Sequence, residues 1–238
     1  MDIRLINYTK DGYSLIANAV RITSPEFDKL TNEEIVKRMV KHDYGSALEH
    51  VYFTFDLNDI SVALSRELLE HRISSHTAKS TRYVSQQSEM KFFIPKKIQN
   101  HSLLSIYCQH MQETHKLYKL LEMQIDRESA RYVLPMALQC TYRWTVNVRS
   151  LINFFRLRLC KNASPEMQEL AQKLYAIVVD VYPIIFCDVG CRGSFLGVCP
   201  EPKARSCHKY LTKSEVAKLV EHKDLIDILT KTKKTSDV

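Results

Sequence analysis

One short polar stretch gathers the side chains best suited to bind an anion. Residues 68–86 read LLEHRISSHTAKSTRYVSQ, with the pair His71-Arg72 near the start and Ser80-Thr81-Arg82 near the end. If residues 80–86 are extended, alternation puts Ser80 and Arg82 on the same side of the chain. A hydroxyl and a guanidinium side by side suit a phosphate or carboxylate. The stretch therefore predicts an anion site, although the acidic Glu70 stands directly before the pair.

Other familiar catalytic patterns are missing from the sequence. It contains no Gly-rich phosphate loop, no G-x-S-x-G and no H-E-x-x-H. Four late cysteines lack the Cys-x-x-Cys spacing of common zinc sites; they are Cys187, Cys191, Cys199 and Cys207. We therefore predict no metal site. The chain has seven cysteines, an odd number, and no apolar leader, so we expect reduced thiols and a cytoplasmic protein.

Composition favours one globular domain with an anionic partner. Of the 238 residues, 45% are hydrophobic and 26% charged, and the formal net charge is +7. No apolar run approaches the about 20 residues that span a bilayer. A phosphorylated small molecule or a nucleic acid would each suit the charge. We predict a domain over residues 1–210, followed by a C-terminal helix and a frayed basic tail over 211–238.

Mixed helices and strands position these residues. A capping box, Thr31-x-x-Glu34, predicts a helix to about His42, and alternation predicts a strand over 51–57. Asn58 or Asp59 is the predicted cap of a helix that ends at His71-Arg72. Further patterns predict a helix over 101–125, a strand over 140–148 followed by a helix, a helix from Ser164-Pro165 to about Phe186, and a last helix from the box Thr212-x-x-Glu215.

Several blocks of this sequence resemble one known family. EHRISSHTAKSTRY (70–83) is similar to the signature of the flavin-dependent thymidylate synthases, in which Arg-His-Arg is followed by seven residues and then Ser-x-Arg-Tyr. SALEHVYFTF (46–55), RESARYVLP (127–135) and WTVNVRSLINFFRLRLCKNA (144–163) resemble three further family blocks in the same order. CPEPKARSC (199–207) resembles the ending of clostridial members.

The resemblance implies both a fold and a reaction. It implies an α/β (α+β) fold with a central, mostly antiparallel sheet flanked by helices, and a homotetramer that binds FAD where subunits meet. The implied reaction methylates dUMP at C5 with the methylene group of methylenetetrahydrofolate, while NADPH reduces the flavin. None of the cysteines need be a nucleophile, because the flavin carries the redox chemistry.

The resemblance also assigns roles to individual residues. The positions that hold the flavin are matched here by His50, His71, Arg72, Asn147 and Asn153. The positions that hold the nucleotide are matched by Ser80, Arg82, Arg131 and Arg158. Arg158 and Ser80 are the predicted catalytic residues. A cation at Arg158, against the pyrimidine, can stabilise negative charge that develops on a ring carbonyl. Without the resemblance, Arg131 and Arg158 would be surface arginines, Asn147 a helix cap and His50 a core histidine.

This sequence departs from the family where the substrate binds. The family's Arg, Gln and Glu are replaced by Glu70, Glu67 and Ala78, and we assign Glu67 and Glu70 to the substrate pocket. Exchanging attraction for repulsion at ~4 Å and a dielectric of ~20 changes the interaction energy by roughly 8 kcal/mol. Glu70 therefore either turns toward a cation such as Arg66, Arg72 or Lys79, or belongs to a pocket rebuilt for another ligand.

Four functions fit these features. The first is a thymidylate synthase with an altered dUMP pocket. The second is flavin-dependent methylation of another pyrimidine nucleotide or nucleoside such as UMP, where new carboxylates would accept hydrogen bonds. The third is a non-catalytic flavin or nucleotide binder. A nucleic-acid-binding module is suggested by charge alone, and salt-dependent binding would reveal it.

Overall fold

The computed structural model describes residues 1–221, which form a four-stranded sheet covered by helices. The strands are β1 (Asp2–Tyr8), β2 (Tyr52–Ser61), β3 (Ser74–Ala78) and β4 (Gln139–Asn147). Their order is β1-β2-β4-β3, and all three neighbouring pairs are antiparallel. The predicted antiparallel sheet is therefore confirmed.

Helices occupy most of the rest of the described chain. They are α1 (Gly12–Arg21), α2 (Asn32–Lys41), α3 (Val62–Leu69), α4 (Lys96–Gln99), α5 (Leu104–Gln124), α6 (Arg127–Ala130), α7 (Val148–Arg158), α8 (Pro165–Val181), α9 (Pro183–Phe186), α10 (Arg192–Leu196) and α11 (213–221). Single 3₁₀ turns cover Pro25–Lys29, Ala47–His50, Arg131–Val133 and Lys203–Arg205. No helix within residues 1–221 combines the length and the apolar character needed to cross a membrane. All seven cysteines lie in this part of the chain and are free.

Alternation along β2 and β4 divides the sheet into an apolar and a polar face. Phe53 and Phe55 on β2 are fully buried, as is Trp144 on β4, where they pack against the helices. On the other face, Arg143 donates two hydrogen bonds to Asp56 at 2.6 and 2.8 Å. The polar side of β4 is therefore used for cross-strand pairs.

The strongest local signals in the sequence predicted their elements correctly. Thr31 and Glu34 form both hydrogen bonds of a capping box at the start of α2. Thr212 and Glu215 form the same reciprocal pair before α11. The helix predicted over 101–125 is α5, and the strand predicted over 140–148 is β4. The predicted tail, 231–238, lies outside the described residues.

Three element predictions were wrong, each because a tertiary or backbone constraint overrides a local signal. Asn58 and Asp59 do not cap α3, because β2 continues through them with a bulge at which Asp59 has φ 55°. The cap is Ser61, whose Oγ accepts a hydrogen bond from the Leu64 amide at 2.9 Å. The helix from Ser164-Pro165 ends at Val181, and a separate short helix begins at Pro183.

The third error concerns the polar stretch. Its extended part is Ser74–Ala78, which pairs with β4 from Ser74 opposite Val146 to Ala78 opposite Tyr142. Residues 80–84 form a turn instead, in which the Val84 amide donates to the Ser80 carbonyl at 3.0 Å, and residues 85–86 are irregular. The strand is specified by its partner, because its own residues are mostly small and polar.

A buried carboxylate joins α8 to the junction between β2 and α3. Glu166, at the second position of α8, accepts hydrogen bonds from the amide of Ser61 at 2.8 Å and from its hydroxyl at 2.5 Å. Burial raises the pKa of Glu166, and the hydrogen bonds from Ser61 oppose this rise. Ser61 thus caps α3 and binds α8 at the same time.

Removing this carboxylate should destabilise the fold. We expect Glu166→Ala to lower the free energy of unfolding by about 1–3 kcal/mol, because it leaves the buried Ser61 amide without a partner. Because the pKa of Glu166 is raised in the folded state, protonated Glu166 contributes to the free energy of unfolding. This contribution is fully present below the pKa of the unfolded state and is lost as the pH rises through the pKa of the folded state. Wild type should therefore lose stability relative to Glu166→Gln as the pH rises above about 4, the ordinary pKa of a glutamate in the unfolded chain, measured by urea unfolding.

A second glutamate on α8 provides the control. Glu169 accepts a hydrogen bond from Lys173 at 2.8 Å, which lowers the pKa of Glu169. Its contribution is present above the pKa of the unfolded state and is lost as the pH falls. Glu169→Gln should therefore show the opposite trend with pH. Parallel trends for Glu166→Gln and Glu169→Gln would contradict the assignment.

Candidate active site

A large cleft lies between α7, the segment after α3 and the chain that leads into β2. Its volume is about 720 Å³. Four arginines line it: Arg72, Arg149, Arg156 and Arg158. Glu70, His71 and Asn153 line it as well. The cleft is therefore rich in hydrogen-bond donors that suit an anionic ligand.

The periodicity of α7 directs its polar side chains into the cleft. Asn147 caps the helix by accepting a hydrogen bond from the Ser150 amide at 2.8 Å. Phe154 and Phe155 are fully buried, while Asn153 and Arg149 lie on the opposite face. Arg149 passes close to Gly45, where an added Cβ would lie 2.7 Å from Arg149 Nε, so a larger residue at this position would displace the arginine side chain.

Three of the four arginines are paired with carboxylates, the loosest pair being Arg158 with Glu67 at 3.8 Å. Arg149 forms an ion pair with Glu49, and Arg156 Nη2 lies 2.9 Å from Asp43. The Arg156 guanidinium also lies over the Phe195 ring, 3.4 Å from its centre. Arg72 has no ion-pair partner among residues 1–221. It is therefore a cation of the cleft that keeps its full charge for a ligand.

Arg158 is held by a neutral histidine. Its Nε donates to Nε2 of His71 at 3.0 Å, and the imidazole packs edge-on against Phe154. Burial, followed by the nearby positive charge of Arg158, lowers the pKa of His71 to about 4. At neutral pH His71 is therefore uncharged and accepts through Nε2, which places its own proton on Nδ1.

A hydrogen-bonded chain from β4 fixes the backbone at His71. The Tyr142 hydroxyl contacts His76 Nδ1 at 2.9 Å, and His76 Nε2 contacts Ser74 Oγ at 2.8 Å. Ser74 in turn donates to the His71 carbonyl. Burial raises the pKa of Tyr142 to about 12, so the phenol stays protonated. Sequence reasoning missed His76 and Tyr142, because their partners become apparent only once β3 is paired with β4.

The residues predicted to bind the flavin fall in or beside this cleft. His71, Arg72 and Asn153 line it, while Asn147 lies buried at the start of α7. The reading of Asn147 as a helix cap is confirmed. The reading of His50 as a core histidine is wrong, because its side chain is exposed next to Glu49, which lines the cleft.

The residues predicted to bind the nucleotide are not brought together. Arg158 lies in the cleft, but Ser80 and Arg82 follow the far end of β3, a strand that spans roughly 15 Å. Arg82 is ion-paired with Glu128 at 3.0 Å. Arg131 follows α6, with its guanidinium 5.4 Å from the centre of the Tyr132 ring. Within one chain, Arg158 in the cleft is therefore separated from the other residues predicted to bind the nucleotide.

The two acidic replacements behave differently. Glu70 is exposed at the C-terminal end of α3 and forms no ion pair within residues 1–221. Of the two alternatives for Glu70, the turn toward a neighbouring cation is therefore not observed. Glu67 is half-buried and lies behind the cleft wall, where it accepts a hydrogen bond from Ser164. Its assignment to the substrate pocket stays a prediction.

The described part of the chain offers no obvious metal centre. Residues 1–221 contain no group of three or more histidine, cysteine or acidic side chains placed to hold an ion. A second polar cavity of about 280 Å³ includes Lys79, Lys91 and the edge of Cys140. Burial raises the pKa of Cys140 to about 11, so this thiol is not an activated nucleophile.

Comparison with known proteins gives a consistent result. A family model described as "Thymidylate synthase complementing protein" matches residues 4–184. The chain is 34% identical over 200 residues to a flavin-dependent thymidylate synthase from Sulfurisphaera tokodaii, covering 80% of this chain and 78% of the relative. It is 31% identical over 234 residues to the Clostridium tetani enzyme of that name, covering 87% of this chain and 93% of the relative.

Solved structures agree with these matches. A Helicobacter pylori flavin-dependent thymidylate synthase, complexed with FAD and dUMP, is similar with a TM-score of 0.67 and 24% identity. The match covers 80% of this chain and all of that chain, and it supports the fold. The family match spans the sheet, α7 and the arginine-lined cleft. The chain therefore belongs to the flavin-dependent thymidylate synthase family.

Proposed function

We propose that this protein methylates dUMP at C5 with FAD as its cofactor. In the overall reaction, dUMP, methylenetetrahydrofolate, NADPH and a proton give dTMP, tetrahydrofolate and NADP⁺. The observation that carries the proposal is the Arg158–His71 pair at 3.0 Å in an arginine-lined cleft. The proposal also extends to this chain what the relatives' names and the bound ligands of the Helicobacter pylori enzyme indicate.

The cleft suits part of an FAD molecule. Its volume of about 720 Å³ falls within the roughly 300–1,000 Å³ of ligand pockets. Arg72 would bind the pyrophosphate, because it is charged and lacks an internal partner in the described chain. The Asn153 amide and the exposed His50 imidazole would add hydrogen bonds at either side. When bound, FAD supplies the redox chemistry, and these residues supply its orientation.

Arg158 would stabilise charge on the pyrimidine. C5 is nucleophilic when electron density is delocalised between C5 and a ring carbonyl, and a fixed guanidinium near that carbonyl lowers the energy of this state. Neutral His71 holds Arg158 through Nε without adding a competing positive charge. Such preorganisation means that the cation need not be reoriented as the charge develops.

A second subunit would complete the site. The 21-residue helix α5 buries only Met111 and Tyr118, and leaves Ile106, Leu117 and Leu120 exposed. An apolar surface of this kind favours protein association. Because β3 separates Arg158 from Ser80 and Arg82, the nucleotide would bind between Arg158 of one chain and Ser80, Arg82 and Arg131 of another. We therefore propose a homotetramer with sites at its subunit interfaces.

The first experiment is a substrate test. Purified, FAD-loaded protein is given methylenetetrahydrofolate and NADPH together with dUMP, UMP, dCMP or the free nucleosides, and product masses are measured. We expect dUMP to gain a methyl group. Arg158→Ala should lower kcat/KM by about 10²–10³-fold, as the loss of a charge-stabilising donor does. Arg4→Ala, on the exposed face of β1, is the control and should behave like wild type.

The other outcomes distinguish the alternatives. Methylation of UMP or a nucleoside alone would replace dUMP as the substrate and assign the acidic replacements to specificity. Flavin binding without any product would support a non-catalytic binder. A methylating enzyme in which Arg158→Ala keeps wild-type kcat/KM would contradict the role of Arg158.

Charge reversal at Glu70 should tighten anion binding. Glu70 lines the cleft without an ion-pair partner in the described chain, so it opposes an anionic ligand there. We expect Glu70→Arg to lower the Kd of dUMP by about tenfold or more, measured by calorimetry on FAD-loaded protein. Glu70→Gln should give an intermediate Kd. Equal Kd values in all three proteins would reject the idea that Glu70 weakens dUMP binding.

The assembly proposal predicts that α5 holds subunits together. We expect the double change Leu117→Asp and Leu120→Asp to dissociate the homotetramer, because burying a charge at an apolar contact is costly. Light scattering would measure the mass. The control is Gln112→Asp, an exposed polar position of the same helix. A double variant that stays tetrameric would place the interface elsewhere.

A further inference from the structure

The serine that begins α8 does not cap that helix. Ser164 occupies the N-cap position, yet its side chain makes no capping hydrogen bond. Its hydroxyl instead donates to Glu67 Oε2 at 3.1 Å. A serine at an N-cap normally accepts a hydrogen bond from the helix backbone. Here the hydroxyl contacts a carboxylate 97 residues away in sequence, near the end of α3.

That carboxylate contacts the arginine of the cleft. Glu67 Oε2 lies 3.8 Å from Arg158 Nη1, while Arg158 Nε donates to His71. Both side chains of the ion pair are partly shielded, with 22% of Arg158 and 39% of Glu67 exposed. The guanidinium is therefore held at two nitrogens, and Nη2 has no partner within residues 1–221.

The loop that connects Arg158 to Ser164 is itself fixed. Gln168 Nε2 donates to the carbonyls of Cys160 and Ala163 at 3.0 and 3.1 Å. The Gln168 amide also donates to the Ser164 carbonyl at 2.9 Å. Ser164 consequently has a defined position relative to the end of α7, where Arg158 lies. Through Ser164, the loop can fix the position of the Glu67 carboxylate, and the carboxylate can orient the Arg158 guanidinium.

We propose that Glu67 and Ser164 are positioning residues that act through Arg158. Ser164 orients the Glu67 carboxylate, and the carboxylate fixes the guanidinium so that Nη2 points into the cleft for a ligand oxygen. The carboxylate also balances part of the charge of Arg158, which favours an uncharged acceptor such as a ring carbonyl over a phosphate at this nitrogen. The inference rests on the proposed function, because it assigns how Arg158 is presented to a pyrimidine.

Chemical labelling of Arg158 tests the contact independently of activity. FAD-loaded wild type, Glu67→Gln, Ser164→Ala and the exposed control Glu26→Gln are treated with phenylglyoxal, and labelling of Arg158 is followed by peptide mass spectrometry, with Arg4 as internal reference. We expect Arg158 to be labelled about threefold faster in Glu67→Gln, in keeping with the loss of a partly shielded ion pair. Ser164→Ala should accelerate labelling less, and Glu26→Gln should leave it unchanged.

Kinetics on the same proteins test what the contact does. Glu67→Gln should lower kcat/KM for dUMP by about tenfold while the FAD affinity and the melting temperature stay at wild-type values. Ser164→Ala removes no capping bond, so a general loss of helix stability is not expected. Adding Ser164→Ala to Glu67→Gln should cause little further loss, because both changes break one network.

The outcomes separate this inference from the proposed function. Equal Arg158 labelling in all four proteins would overturn the positioning role. Faster labelling in Glu67→Gln with no methylation of dUMP by wild type would reject the proposed substrate and keep the contact between Glu67 and Arg158. A loss of kcat/KM accompanied by an equal loss of FAD affinity or melting temperature would show a structural role instead, and would also overturn the inference.

Discussion

The hydrogen bond from Arg158 to His71 depends on a histidine that stays neutral. A protonated imidazole has no lone pair for the guanidinium and would repel it, and burial, which lowers the pKa of His71 to about 4, keeps the imidazole neutral well below neutral pH. His71 is partly buried because the end of α3, the start of β3 and the end of α7 lie beside one another. The edge-on contact with Phe154 and the chain from Tyr142 to the His71 carbonyl keep the imidazole in place.

Around this bond, some arginines of the cleft are paired with carboxylates of the chain, and others are available to a ligand. Arg149 and Arg156 are largely neutralised by Glu49 and Asp43. Arg72 has no ion-pair partner in the described part of the chain, and Arg158 contacts both His71 and Glu67. Exposed ion pairs such as those of Arg149 are worth at most about 1 kcal/mol, so a ligand phosphate can replace them at little cost. The cleft therefore combines one fixed cation, Arg158, with arginines such as Arg149 that can exchange a carboxylate for a ligand phosphate.

Sequence patterns predicted most of the elements and failed where pairing between distant residues decides the structure. The capping box at Thr31 and the alternation along β4 are local, and both were correct. The strand Ser74–Ala78 was missed, because small polar residues become a strand only through their partner on β4. The same error hid His76. The site residues were assigned through resemblance, and no periodicity could have shown that Arg158 and His71, 87 residues apart, are bonded.

The short helix α3 connects the chemistry of the cleft to the stability of the fold. Its N-cap Ser61 is bound by Glu166, and Glu67 in its last turn is bound by Ser164. Both partners belong to the beginning of α8, two residues apart, so the start of α8 fixes both ends of α3. His71 follows α3 directly, and Arg158 ends the helix that precedes α8. The geometry of the Arg158–His71 bond is thus set by one junction between two helices, where the hydrogen bonds from Ser61 and Ser164 offset part of the desolvation cost of Glu166 and Glu67.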